Sequence, residues 1–177
     1  MKKIIFTLTL VLSIVVTAEA QEFRGLDKSP LDMIEYPAGM QETNKAVRVL
    51  YSRPQLKGRD LSQLAPSGKV WRTGANEATE ITFYTPMKLG GKTIAAGSYT
   101  LYTIPGATEW TVILNSDTHV WGAYRYKEAS DVARINVPLS SASESLEALS
   151  MAFENVDGGV HLHMGWGTMR IAVPFMK

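Results

Sequence analysis

Cysteine is absent from the 177 residues. That excludes a disulfide scaffold, a cysteine nucleophile and thiolate metal sites, so a folded domain must be held together by its core. An excess of charge is missing too. Eighteen basic residues stand against seventeen acidic ones, and such a balance argues against nucleic acid or an anionic membrane surface as the main partner. Helical periodicity is scarce: only Ser143 to Ala148 has much helical propensity, with Ser140, Ser141 and Ser143 available as caps. Without helical crossovers, parallel strands would have nothing to connect them. The chain contains no G-x-S-x-G, H-E-x-x-H, P-loop or G-x-G-x-x-G motif, and no internal repeat or low-complexity tract.

No run is apolar for long enough to cross a bilayer. The first twenty residues instead have the parts of an export signal: Lys2 and Lys3, an apolar stretch from Ile4 to Val16, and Ala18-Glu19-Ala20 as an A-x-A cleavage site. The expected mature protein begins at Gln21 and is periplasmic or secreted. No cysteine follows the apolar stretch, so a lipid anchor is not expected. The remaining 157 residues carry no net charge and suffice for one domain.

Residues 21–45 are polar and turn-rich, with Pro30, Pro37 and Gly39. They read as a leader lying against a domain that spans 46–177, with Leu31, Met33, Ile34 and Tyr36 docking as a short helical turn or an edge strand. From Ala46 the pattern is that of sheet. Val47, Val49 and Tyr51 alternate with Arg48, Leu50 and Ser52, the period of a half-buried strand. Further strands are expected at 79–85, 87–89, 92–94, 98–104, 109–115, 120–126, 131–137, 146–154, 160–166 and 169–175. Gly90-Gly91 suits a two-residue hairpin turn, and Gly165 to Thr168 reads as another turn. Many short strands with turn signals between them predict an all-β protein, a single antiparallel β-sandwich of roughly jelly-roll type.

Tyr51 to Thr79 breaks this pattern. It is long, irregular and charged, and such segments inside compact domains are often functional. Arg72, Asn76 and Glu77 sit around Gly74, whose backbone freedom suits a loop. One reading is a ligand site, with Arg53 and Arg59 adding guanidinium forks for carboxylate, phosphate or sugar hydroxyls. The other is a structural staple in which Arg72 pairs with Glu77 to brace a loop short of ladder hydrogen bonds.

These same residues carry a family resemblance. SRPQLKGR, VWRTGANEAT, GKTIAAGSYTLYTIP, EWTVILN and WGAY, with LDKSPLDMIEYP upstream, resemble the domain-of-unknown-function 2911 family over residues 26–175. The resemblance implies an exported, β-rich protein of Bacteroidetes-type bacteria, and implies no substrate. The chain departs from the family pattern at Ala65 and Ser67, where a bulkier run is usual. It departs again at Gly167, where an acidic residue often follows the tryptophan.

Four tryptophans and seven tyrosines complete the inventory. Trp110 shares a strand face with Val112 and Leu114 and is expected in the core, whereas Trp121 and Tyr124 follow a polar turn and are better placed to form an exposed platform. His161 and His163 point the same way from one strand. With His119 they would make a three-histidine metal site, but their side of the strand reads as the solvated one, and no metal or other cofactor is expected. Glu77 with Asp131 or Glu109 could serve a hydrolase, although nothing in the spacing pairs them. The leading expectation is a non-enzymatic module binding a small polar ligand, glycan or peptide through Arg53, Arg59, Arg72, Asn76, Glu77, Trp121 and Tyr124. The alternatives are a periplasmic structural or interaction protein and a hydrolase using Glu77.

Overall fold

The structure, a computed structural model, describes residues 21–177; the expected export signal, residues 1–20, lies outside the described residues. The alternating stretches form ten strands: β1 (Leu31–Tyr36), β2 (Val47–Ser52), β3 (Glu80–Phe83), β4 (Met87–Leu89), β5 (Lys92–Ile94), β6 (Gly97–Ile104), β7 (Glu109–Asn115), β8 (Asp131–Pro138), β9 (Ser140–Val156) and β10 (Gly159–Met176). A single helical turn, α1 (Leu61–Leu64), interrupts the irregular segment. The strands make two antiparallel sheets, ordered β1-β2-β3-β6-β7-β8 and β5-β4-β10-β9. The protein is an all-β sandwich.

The hydrophobic faces of the two sheets meet in one core. Val47, Val49, Ile81, Leu101, Val112 and Leu114 of the larger sheet face Leu149, Val160, Leu162, Ile171, Val173 and Phe175 of the smaller one. Three tryptophans fill one end. Trp71 stacks on Trp166 at 5.6 Å and 16°, and meets Trp110 edge-on at 6.1 Å and 85°. Trp110 is therefore core, as its strand phase requires.

The leader contributes an edge strand: β1 pairs with β2 from Leu31 opposite Ser52 to Tyr36 opposite Val47. The Gly90-Gly91 turn forms as expected, with φ of 58° and 80° joining β4 to β5.

The stretches 160–166 and 169–175 run together as β10, yet this strand doubles back at Gly167, whose φ is +56°. The Lys177 amide donates to the Gly158 carbonyl at 2.8 Å. A Cβ on Gly159 would lie 2.9 Å from Met176 Cα, and one on Gly165 would lie 3.0 Å from Arg170 Cδ. The two arms thus lie side by side. The turn expected at this point is present, and glycine there avoids the strain that an acidic side chain at positive φ would meet.

One expectation is extended and one is overturned. The strand expected at 146–154 begins at Ser140 and takes in residues 143–145 despite their helical propensity, because Leu146 pairs with Gly167, and Arg170 Nη2 donates to the Glu144 carbonyl at 2.8 Å. Tertiary pairing overrides a weak local preference. Residues 120–126 do not form a strand; they make turns held by one bridge between Glu77 and Trp121.

Candidate functional site

The charged segment splits into two parts with different roles. Its first part is sewn to β9. Leu56 N donates to the Glu147 carbonyl at 2.9 Å, Leu149 N to the Pro54 carbonyl at 3.0 Å, and Lys57 N to Glu147 Oε1 at 2.7 Å. Each nitrogen of the Arg53 guanidinium is engaged: Nε donates to the Leu149 carbonyl (3.0 Å) and Nη2 to Ser150 Oγ (2.8 Å) on β9, and Nη1 to Asp32 Oδ2 (3.1 Å) on β1. Tyr51, two residues earlier on the same face, accepts from the Met151 amide at 3.1 Å. Burial, first of all, pushes the Tyr51 hydroxyl pKa up. Arg59 turns inward on its own loop, donating to the carbonyls of Leu56 and Gln55. Both arginines brace backbone that the sheets leave unpaired.

The second part, Trp71 to Thr79, is a tight loop. Thr79 N donates to the Arg72 carbonyl at 3.0 Å, Thr79 Oγ1 donates to the Thr73 carbonyl at 2.8 Å, and the Thr73 and Thr103 hydroxyls bond at 3.1 Å. The positive φ angles fall on Thr73 (55°) and Asn76 (59°), not on Gly74. Gly74 is needed for close approach instead: a Cβ there would sit 3.1 Å from the Ser52 carbonyl oxygen. Arg72 and Glu77 form no ion pair among the described residues, so the expected staple is replaced by hydroxyl and backbone bonds. Arg72 Nε is buried without a hydrogen-bond partner, while Glu77 is exposed.

Beside this loop lies a cleft of about 560 Å³. Asn76, Glu77 and Trp121 line it together with Tyr51, Glu80 and His119. The leader closes one side through Arg24 and Asp27. The Ser29 amide and then the Asn76 side chain hold the Asp27 carboxyl below the usual carboxylate range. Glu80 Oε2 and His119 Nδ1 are 3.4 Å apart. At the rim, Trp121 and Tyr124 stack at 5.7 Å and 12°, leaving 61% and 78% of their surfaces exposed. Gly122, at φ +68°, lets the Tyr124 ring fold against the backbone, since a Cβ there would meet the ring at 2.6 Å. The loop carrying this pair is tied to the charged segment by Ala78 N donating to the Val120 carbonyl and Gly122 N to the Asn76 carbonyl, both at 2.9 Å.

Of the seven residues singled out from sequence, Asn76, Glu77, Trp121 and Tyr124 are therefore neighbours. Arg53 and Arg59 lie away from them along the β9 seam. Arg72 lines no part of the cleft. Asp27, Glu80 and His119 join the site without having been picked out for it; they come from the leader, the start of β3 and the loop after β7. Aromatic faces beside an amide and carboxylates can hold a flat polar molecule by stacking and hydrogen bonding.

The carboxylates suggested as partners for Glu77 are elsewhere. Asp131 accepts from Asn115 Nδ2 (2.8 Å) and from the Tyr126 hydroxyl (2.6 Å), and Glu109 accepts from Asn136 Nδ2 (2.6 Å).

A family model described as "Protein of unknown function (DUF2911)" matches residues 29–175. The chain belongs to that family. The match takes in both sheets, the charged segment and the Trp121–Tyr124 turn, and extends upstream to Ser29, just ahead of β1. Comparison with curated proteins and with solved structures found no match.

His119 lies in the cleft, remote from a role beside His161 and His163. Those two do sit on the solvent side of β10, while Val160, Leu162 and Met164 point into the core. Their third neighbour is Glu154, which lies directly opposite His161 on β9.

Proposed function

We propose that this member of the family is an exported, non-enzymatic binding module whose cleft at Asn76, Glu77 and Trp121 takes a small polar ligand, a glycan or a peptide. The observation that carries the reading is the stacked, exposed Trp121–Tyr124 pair at the rim of a cleft lined by an amide and carboxylates. Soluble proteins expose large aromatic rings sparingly, and two stacked beside a concavity suit a flat partner. Among the three ligand classes, the polyhydroxylated face of a sugar fits best, because rings can cover its apolar face while Asn76 and Glu77 reach its hydroxyls. Export is supported by the basic, apolar and A-x-A parts of residues 1–20.

Calorimetric titration of the wild type and Trp121→Ala with a panel of glycans and short peptides tests the reading. The expected outcome is binding by the wild type that Trp121→Ala abolishes, with stability changed by no more than about 0.5 kcal/mol, as for other exposed positions. A wild type that binds no member of the panel would favour a second reading, a structural or interaction protein of the periplasm. The three hydrogen bonds of the Arg53 guanidinium speak for that reading, since they engage a charged residue of this segment in the fold. A hydrolase pairing Glu77 with Asp131 or Glu109 draws no comparable support, because both are engaged elsewhere.

A further inference from the structure

We propose that Glu154, His161 and His163 hold a divalent cation of the zinc class on the outer face of the β9–β10 sheet. The strand pairing supplies the third ligand that the histidine spacing alone did not. Glu154 is the cross-strand partner of His161, and His163 follows two residues along the same face. One ligand atom from each of the three lies within 4.8 Å of the others. His163 Nε2 and Glu154 Oε2 are already 2.6 Å apart. Zinc takes imidazole nitrogen and carboxylate oxygen at about 2.0–2.2 Å, so side-chain rotation alone brings this set around one ion.

The surroundings suit a cation. On β9, the position opposite His163 is Ala152. On the other arm of β10, continuing the register that sets Gly159 beside Met176 and Gly165 beside Arg170 places Pro174 and Ala172 next to His161 and His163. No lysine or arginine occupies these flanking positions. All three ligands stand on paired strands, which position side chains more tightly than loops do. Two of the three are half-buried and Glu154 is exposed, so water can complete the coordination as in an open zinc site. The one bond to be given up is the solvent-exposed contact between Glu154 and His163, and such surface pairs are weak. The site is separate from the cleft and does not depend on what the cleft binds.

The test is zinc titration of untagged, chelator-treated mature protein in competition with a chromophoric chelator, with thermal melts of every variant as a control for folding. The expected result is one zinc per chain, with His161→Ala and His163→Ala each weakening binding about 10- to 100-fold or more, the scale on which even an outer-shell partner counts. Glu154→Gln should weaken it as well. Addition of Ni²⁺ should broaden the ring signals of His161 and His163 in NMR spectra and spare that of His119. Absence of stoichiometric binding, or binding indifferent to both histidine substitutions, would overturn the site.

Discussion

Tyr126 shows how one residue can carry a pH dependence for the whole loop between β7 and β8. Its hydroxyl donates to Asp131 Oδ2 at 2.6 Å and accepts from Arg134 Nη2 at 2.9 Å. Burial, then the hydrogen bond and charge of Asp131, push its pKa up to about 12. A tyrosine whose folded value exceeds the unfolded one of about 10 favours the folded state while it is protonated. That contribution is complete below about pH 10 and is lost as pH rises toward 12. Burial also raises Tyr51 and Tyr102, so the loss is shared among three rings. Denaturant melts from about pH 9 to 11 should show stability falling in the wild type and falling less steeply in Tyr126→Phe. Parallel pH slopes in the two proteins would remove Tyr126 from this role. Nothing in the sequence marks this tyrosine among its seven, because its partners Asp131 and Arg134 reach it only once β8 has paired with β7.

Arg53 acts at the level of elements, joining the end of β2 to the middle of β9 across the edge of the sandwich. Arg53→Ala would leave the Leu149 carbonyl and Asp32 without their charged donor. The expected cost is about 2 kcal/mol, typical of hydrogen bonds to a charged group, or roughly 4–8 °C in melting temperature for a domain of this size. A melt within a degree or so of wild type would show the seam to be held by backbone alone. The same seam explains what was legible in the chain. Strand β2 could be read because one buried face imposes alternation, and β6 and β7 because short, largely buried runs rich in β-branched and aromatic residues lie between turn signals. The start of β9 could not: residues 140–145 are mostly exposed and serine-rich, and they are strand because Met169 and Arg170 lie beside them. The candidate site divides in the same way. Asn76, Glu77, Trp121 and Tyr124 stood out as loop residues with side chains to offer. Glu154 and His161 are seven residues apart on different strands, and only the register makes them neighbours.

For the whole molecule, export is the proposal closest to a direct check. Intact-mass measurement of the protein recovered from the exporting cell's periplasm or medium should give a chain starting at Gln21, or the same chain with that glutamine cyclised. A folded product retaining residues 1–20 would reject cleavage after Ala20. The sandwich also has a bearing on how it can be watched. Trp71, Trp110 and Trp166 are 6%, 3% and 1% exposed and lie against one another, whereas Trp121 is 61% exposed at the rim of the cleft. The indole emission of the native protein is therefore partitioned by the fold: a collisional quencher in solution reaches one tryptophan and leaves a clustered, blue-shifted trio untouched. The molecule carries its own optical label at the candidate site and a separate one in its core, so ligand occupancy and unfolding can be followed in a single cuvette without modifying a residue.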